Sequence, residues 1–209
     1  MSKPAFLSLF FLWFAGCPDL CGQNTRYVQV FLGTDGTGHT FPGPSMPFGM
    51  VQPSPDTRDE GWSHTSGYQF QDTTVLGFSQ THLSGTGIGE MGDVLLLPFA
   101  ETPDAGLKNR LDKKTETARP GYYTVHKKDG VRVELTASER VAMHRYTFPT
   151  RTANVLADFQ HGIRFLTDSL VLESDVKLED AHTISGWCHT KNWVQLRYFF
   201  VVRFDHPCI

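Results

Sequence analysis

Three histidines and three of the aspartates that could do chemistry lie in one glycine-rich segment of the chain, residues 33–92, or directly after it. They are His39, His64, His82, Asp35, Asp56 and Asp93. Imidazole and carboxylate groups bind metal ions, transfer protons and hydrogen-bond hydroxyl groups. No two of these histidines have the i, i+4 spacing that places two ligands on one face of a helix, so the pattern does not define a metal site. Two interpretations stay open: contact with a substrate, or hydrogen bonds to backbone groups of a buried loop.

Trp62 lies in the same segment, between Gly61 and Ser63. A tryptophan in a polar loop can stack on one face of a sugar while neighbouring polar groups bind the hydroxyls. A core position beneath the loop is the alternative that composition leaves open. A long stretch without regular structure is generally functional inside a compact domain, and glycine lets backbone approach a ligand closely. We therefore expect the binding site in this segment.

The spacing Gly87-x-Gly89-x-x-Gly92 matches the dinucleotide-binding fingerprint, but its surroundings do not. That motif needs a preceding strand and a following helix whose N-terminus holds the pyrophosphate. Here a polar segment precedes the glycines, and the apolar segment DVLLLPF at 93–99 follows them. Nucleotide binding is therefore not expected. The net charge of −3 gives no electrostatic reason to expect nucleic acid either.

The elements that must position these residues are predicted to be strands. The chain has 209 residues, 40% of them hydrophobic, which suffices for one domain with a core. Apolar or alternating segments recur at roughly 8–15-residue spacing with turn residues between them, and Asp129-Gly130 is a hairpin signal. The predicted fold class is all-β, an antiparallel β-sandwich. The predicted strands are Tyr27–Leu32, Asp93–Phe99, Tyr122–Val125, Val131–Leu135, Val141–Phe148, Asn154–Phe159, Leu170–Leu172, Thr183–Trp187 and Val194–Phe204.

The N-terminus is predicted to be a signal peptide over residues 1–22. Lys3 precedes the apolar run AFLSLFFLWFA at 5–15, which is too short to span a bilayer as a helix of ~20 residues. A buried first helix or strand is the alternative. Cys17 follows small residues as in a bacterial lipobox, so it is a candidate lipidation site, and lipoprotein and soluble secretion both stay open. The domain then covers 23–209, in which Cys188 and Cys208 form either a disulfide or two free thiols.

The glycine-rich segment resembles the N-terminal part of glycoside hydrolase family 92. The similarity covers nearly the whole chain after the signal and is weak only at its end. It is carried by GTDGTGHTFPGPSMPFGMVQPSPDT at 33–57, Gly61-Trp62, Ser66-Gly67-Tyr68, GFS at 77–79, THLSGTG at 81–87, Gly92-Asp93 and RYFF at 197–200.

This resemblance implies a secreted exo-α-mannosidase, of α-1,2 type, that trims N-glycans or mannan, inverts the anomeric centre and depends on calcium. It implies an N-terminal sandwich of the galactose-mutarotase-like supersandwich type, followed by an (α/α)6 catalytic barrel. All the matched motifs belong to the sandwich. The partners it implies are mannose-containing glycans and the barrel, and its location is periplasmic or outer-membrane-anchored.

The resemblance also implies what this chain lacks. An inverting glycosidase needs a general acid and a general base about 6.5–9.5 Å apart. In the family both carboxylates and most calcium ligands come from the barrel. We therefore expect no catalytic residue, no metal site and no activity in this chain alone. A stand-alone carbohydrate-binding sandwich is the alternative function, and a purely structural docking domain is a third.

The resemblance further implies that the sandwich forms part of the wall of the mannose subsite. Trp62 is assigned to the apolar wall. Hydrogen bonds to sugar hydroxyls, or to loops of the barrel, are assigned to His82, Ser84, Gly85, Thr86 and Gly87. The residues expected to support this wall from behind are Asp35, Gly36 and His39.

Overall fold

The computed structural model describes residues 23–100, 109–164 and 169–208. Within these ranges the chain forms eleven β-strands and two short 3-10 helices, Gln23–Tyr27 and Trp62–His64, and no described helix could cross a membrane. All strand pairs are antiparallel, so the predicted all-β class is confirmed. The strands are β1 (Ser54–Asp56), β2 (Gly77–Ser79), β3 (Leu95–Phe99), β4 (Leu111–Arg119), β5 (Tyr122–Lys127), β6 (Arg132–Ala137), β7 (Ala142–Thr147), β8 (Asn154–Asp158), β9 (Val171–Asp180), β10 (Thr183–Lys191) and β11 (Gln195–Arg203).

The strands form three sheets, and two of these sheets share one hydrophobic core. The sheet orders are β1-β2-β3-β8, β4-β5-β6-β7 and β11-β10-β9. The core joins Phe78 of the first sheet to Tyr123 and Val133 of the second, all with no exposed surface. Phe159, just after β8, stacks on Phe200 of β11 with ring centroids 5.0 Å apart, which attaches the third sheet. The sandwich therefore rests on apolar burial between sheets.

The Asp-Gly hairpin forms where the sequence predicts it. Residues of β5 and β6 pair in register around Asp129 and Gly130, and Gly130 has φ 90°, a conformation that favours glycine. Lys127 has a buried side chain and its ammonium group contacts Asp129 at 2.9 Å. A buried ammonium group needs a charged or polar partner, and this ion pair with Asp129 supplies one within the turn.

The predicted strand at Asp93–Phe99 is also confirmed. It is β3, which lies between β2 and β8, and its first four residues are buried. Because successive side chains of a strand point to opposite faces, the burial of both faces explains the unbroken apolar run. The predicted strands that correspond to β7, β8, β10 and β11 begin within two residues of their predicted starts.

One predicted strand is wrong. Residues 27–32 do not pair with another strand; Tyr27 ends a 3-10 helix and Leu32 donates its amide to the carbonyl of Gln29 at 3.0 Å. Local turn bonds satisfy this backbone, and Leu32 is left 80% exposed. Strand β4 was missed, because its LDKKTETAR sequence buries only Leu111 fully. Strand β9 extends to Asp180, well beyond the predicted end at Leu172.

Several predictions concern cysteines or the N-terminus. The signal peptide at 1–22 and the lipidation site at Cys17 lie outside the described residues. Cys188 is buried and Cys208 is exposed, and both are free thiols, so the disulfide alternative is not adopted.

Candidate functional site

The glycine-rich segment 33–92 folds as ordered loops around two three-residue strands, β1 and β2. Backbone hydrogen bonds connect its loops. The amide of Phe70 donates to the backbone carbonyl of Thr34 at 2.8 Å, and the amide of Gly85 donates to the backbone carbonyl of His39 at 2.5 Å. Hydroxyl-bearing residues are buried along the segment, among them Thr34, Thr57, Thr65 and Ser66. The loops therefore form a rigid base on which exposed side chains can be held.

Trp62 is the first residue of the short helix Trp62–His64 and is 50% exposed. The helix is anchored by His64, whose Nε2 lies 2.8 Å from Asp72 and whose Nδ1 lies 2.8 Å from the hydroxyl of Ser63. Gly61 precedes the helix with φ 92°, which turns the chain into it. Because His64 is buried and held, the indole of Trp62 is presented at the surface with a defined direction. A core position for Trp62 is excluded.

His39 supports the indole from below. The two rings meet edge to face, with centroids 4.6 Å apart and planes inclined by 70°. His39 is 6% exposed and its Nδ1 lies 2.8 Å from the hydroxyl of Thr65. Its φ of 52° is unusual for a residue with a side chain, and its buried Nε2 has no hydrogen-bond partner. Strained backbone and an unpartnered polar atom concentrate at functional sites.

The predicted loop Ser84–Gly87 lies beside Trp62. Ser84, Gly85 and Thr86 are exposed. Gly87 has φ 65°, and a Cβ atom there would lie 3.4 Å from the indole nitrogen of Trp62 and 3.7 Å from Nε2 of His39. The predicted wall residue, two exposed hydroxyl groups and a glycine-rich backbone are thus brought together in one place.

His82 is placed differently from the other predicted binding residues. Its side chain is fully buried; Nε2 lies 2.7 Å from a carboxylate oxygen of Asp56, and Nδ1 lies 2.7 Å from the carbonyl oxygen of Gln52. Both ring nitrogens are therefore engaged within the chain. The geometry favours the interpretation in which this histidine satisfies buried groups of the loop and so positions residues 83–87.

A second histidine completes this buried cluster, and sequence analysis did not find it. Nε2 of His161 lies 2.8 Å from the other carboxylate oxygen of Asp56. Burial alone raises the pKa of Asp56, but the charge of His82 and the hydrogen bonds of both imidazoles lower it to about 2. Burial lowers the pKa of His161, and the hydrogen bond and charge of Asp56 outweigh this and raise it. The two residues are 105 positions apart, so no local pattern could have linked them.

The remaining predicted residues take supporting positions. Asp35 is exposed and accepts hydrogen bonds from the amide of Gly36 at 2.8 Å and from Gln71 at 2.9 Å. The carbonyl of Gly36 accepts a hydrogen bond from Gln69 at 3.0 Å. Asp93 is buried and accepts a hydrogen bond from the hydroxyl of Thr81 at 2.6 Å. These contacts tie the loops to one another.

The far end of the candidate loop is held by the β10–β11 turn, another link that sequence analysis missed. Asn192 donates to the carbonyl of Gly89, and the amide of Trp193 donates to the carboxylate of Glu90 at 3.0 Å. Glu90 is 4% exposed, and burial raises its pKa. The third sheet thereby positions the segment that follows Gly87.

Carboxylate clusters that could bind calcium were sought among the described residues. Calcium takes six to eight oxygen ligands. No group of three His, Cys, Asp or Glu side chains in the described ranges is arranged to hold a metal ion. The buried carboxylates there are each already paired within the chain: Asp56, Glu90, Asp93 and Glu134.

Comparison with known proteins agrees with this fold. A family model described as "Glycosyl hydrolase family 92 N-terminal domain" matches residues 27–209. An uncharacterized secreted glycosidase of Arthroderma benhamiae is 32% identical over 160 residues, which is 72% of this chain and 20% of that protein.

Two solved structures from Bacteroides thetaiotaomicron are similar. One is a family GH92 α-mannosidase, solved alone and with mannoimidazole, with 34% identity and a TM-score of 0.81, covering 89% of this chain and 26% of that chain. The other is a family GH92 inverting mannosidase with 24% identity and a TM-score of 0.69, covering 88% and 25%, which shows a shared fold. This chain thus spans about a quarter of the length of the solved relatives. The match over 27–209 and the 34% identity to a solved α-mannosidase show that the chain belongs to glycoside hydrolase family 92, as its N-terminal domain.

Proposed function

We propose that this domain forms part of the mannose-binding subsite of a secreted exo-α-mannosidase and does not itself carry out hydrolysis. In the whole enzyme a C-terminal catalytic domain would supply the acid and the base of an inverting, calcium-dependent reaction. The substrates would be α-1,2-linked mannosides of N-glycans or mannan. A relative with 34% identity was solved with mannoimidazole, a sugar-like ligand, which supports this substrate class.

The observation that carries the proposal is the setting of Trp62. A half-exposed indole, held edge to face by His39, stands beside a loop that exposes the hydroxyl groups of Ser84 and Thr86. A sugar has apolar ring faces and a hydroxyl rim, so its binding needs a flat apolar surface with polar groups next to it. This arrangement provides both on a fixed base.

Residues of the loop would have separate roles. Ser84, Thr86 and the backbone near Gly85 and Gly87 would hydrogen-bond sugar hydroxyls or the loops of the catalytic domain. His82 would position this loop from within, because its two ring nitrogens already contact Asp56 and Gln52.

Calcium and location belong to the same proposal. The calcium ion would be held mainly by the catalytic domain, because the carboxylates buried in the described residues are paired inside this chain. Export is supported by the apolar N-terminal run, residues 5–15, and by the secreted fungal glycosidase that shares 32% identity. A periplasmic or outer-membrane location is the setting in which we expect the enzyme to act.

The test is the substitution Trp62→Ala in an enzyme made by joining this chain to the catalytic part of the Bacteroides α-mannosidase. We call it the joined enzyme. Loss of the apolar wall should lower kcat/KM for an α-1,2-mannobioside by roughly 10–1000-fold, or about 1.4–4 kcal/mol of transition-state binding. Circular dichroism should show an unchanged fold, because the side chain is half-exposed.

The matched control is Phe199→Ala, which removes a 78% exposed aromatic from β11 and should leave kcat/KM unchanged. If Trp62→Ala abolishes soluble expression but leaves the residual enzyme fully active, the wall assignment is wrong. A different result would identify the domain as a stand-alone carbohydrate-binding module: this chain alone binds mannan, Trp62→Ala abolishes that binding, and the substitution leaves kcat/KM of the joined enzyme unchanged.

A further inference from the structure

The most exposed aromatic side chain of the described residues lies away from Trp62, on the loop before β1. Phe48 is fully exposed, at 105% of its reference surface, and its φ is 60°. A bulky side chain in the left-handed region is strained, and exposure of the whole ring to water adds to the free energy of this conformation. Neither feature is compensated within the chain, so both indicate a contact that forms elsewhere.

The loop that carries Phe48 is nevertheless well fixed. The amide of Gly49 donates to the carbonyl of Met46 at 2.9 Å, and the amide of Met50 donates to the carbonyl of Glu139 at 2.6 Å. The side chain of Gln52 also donates to the carbonyl of Gly49 at 2.8 Å. The ring is therefore held outward by a closed turn, and the strain is a property of a defined conformation.

Other exposed apolar side chains lie on the same loop and on the turn to which this loop is hydrogen-bonded. The Met50–Glu139 bond joins the loop to the β6–β7 turn, whose Val141 begins the exposed side of β7. We define the methionine patch as Met46, Phe48, Met50, Val141 and Met143, which are 44%, 105%, 66%, 61% and 64% exposed. Methionine and aromatic residues are enriched at interfaces, because they adapt to a partner surface and bury a large area. Exposed apolar patches of this kind mark interaction sites.

We propose that the methionine patch docks on the catalytic domain of the same enzyme, with Phe48 seated in an apolar pocket of that domain. The occupant follows from the relatives: the matched region is about a quarter of each solved chain, so three quarters of those polypeptides lie outside it. Interfaces between domains of one chain typically cover about 600–1,500 Å². An exposed phenylalanine accompanied by methionines matches the residue types that are enriched at interfaces. This inference rests on the proposed function, since it requires a catalytic domain as partner.

The experiment compares hydroxyl-radical oxidation of Met46, Phe48 and Met50 in this chain alone and in the joined enzyme. Docking should lower the oxidation rate of Phe48 at least 10-fold in the joined enzyme. Phe48→Asn should restore fast oxidation of Met46 and Met50 there. It should not lower the Tm of the chain alone, because asparagine tolerates a positive φ. The matched control is Leu32→Asn, at an exposed apolar position (80%) outside the methionine patch, which should leave the patch protected.

Equal oxidation of Phe48 in the chain alone and in the joined enzyme would overturn the inference. Protection that depends on the concentration of the chain alone would also overturn it, in favour of a second copy as the occupant. Activity separates the two proposals. An active joined enzyme with an unprotected Phe48 contradicts the docking site only. If the methionine patch is protected but Trp62→Ala leaves the activity of the joined enzyme unchanged, only the subsite role is contradicted.

Discussion

Asp56 accepts hydrogen bonds from two imidazoles while its own side chain is shielded from water. His82 and His161 reach it from segments on either side of β3, and each holds one carboxylate oxygen. Burial of a lone carboxylate costs several kcal/mol, so these contacts keep the group ionised. The cluster joins the end of β1 to the candidate loop and to the segment after β8, and it therefore fixes the base of the site.

Asp56→Asn should lower the free energy of unfolding by about 3–5 kcal/mol, because it leaves two buried imidazoles without their charged partner. Chemical denaturation of the chain measures this value. Phe48→Asn, at an exposed position, is the control and should change it little. A loss below about 1 kcal/mol would show that the cluster contributes little to stability.

The same cluster predicts a pH dependence. The pKa of Asp56 falls from 3.8 to about 2 on folding, so its contribution is complete above about pH 4 and is lost as the pH falls toward 2. The pKa of His161 rises above 6.5, so its contribution is complete below pH 6.5 and is lost as the pH rises through the folded value. Thermal melts from pH 2 to 9 should show the greatest contribution between about pH 4 and 6.5. Asp56→Asn should flatten both slopes, and unchanged slopes would assign them to other groups.

At the scale of the elements, two glycines have different roles in the loops of the candidate site. Gly67 has φ 78°, and a Cβ atom there would lie 2.1 Å from a carboxylate oxygen of Asp56. Gly87 has φ 65°, but its Cβ would meet Trp62 at 3.4 Å, an ordinary contact. The first glycine permits close packing on the cluster, and the second shapes the surface beside the indole.

Because of this difference, alanine at Gly67 should destabilise the fold much more than alanine at Gly87. Gly67→Ala should disrupt the fold, because the methyl group overlaps Asp56, and the soluble yield should fall sharply. Gly87→Ala should cost only about 1–2 kcal/mol of backbone strain and leave a folded chain. In the joined enzyme Gly87→Ala should raise KM more than it lowers kcat, since it alters the binding surface. Equal stability of the two variants would contradict the assignment of Gly67 to the cluster.

At the scale of the whole molecule, the described residues present exposed apolar surfaces that suit a partner. The carboxylates buried in the described ranges serve internal contacts: Asp56, Glu90, Asp93 and Glu134. Exposed apolar side chains are gathered on the methionine patch, where Phe48 and Met50 are 105% and 66% exposed. Such surfaces are unusual for a protein that functions as a monomer of this size.

The chain alone should therefore release no mannose from an α-1,2-mannobioside, with or without added calcium. General acid–base catalysis contributes about 10²–10⁴-fold, and we propose that the catalytic domain of the whole enzyme supplies the acid and the base. A coupled mannose assay measures the release, with the joined enzyme as the positive control. Hydrolysis by the pure chain that calcium stimulates would place a working catalytic pair within these residues.

Patterns that act over a few residues were readable from the sequence. Period-two alternation and the Asp129-Gly130 turn predicted the β5–β6 hairpin, and the apolar run predicted β3. Family motifs pointed to the N-terminal sandwich and to the segment that contains Trp62. Local patterns failed where the burial of a strand depends on a partner, as for β4, whose charged sequence is held by pairing with β5. They failed again at 27–32, where an apolar stretch has no partner strand.

Only the tertiary structure decided which side chains meet. Composition left Trp62 open between a core plug and a wall, and the structure leaves its indole half-exposed against His39, so it is not a core plug of this domain and the wall role stays a proposal. Composition also left His82 open between substrate and scaffold, and its pairing with Asp56 places it in the scaffold. The partner across that carboxylate, His161, lies 105 residues away. Contacts at such separation arise from the packing of sheets, which is set by the whole chain, so no window of sequence contains them.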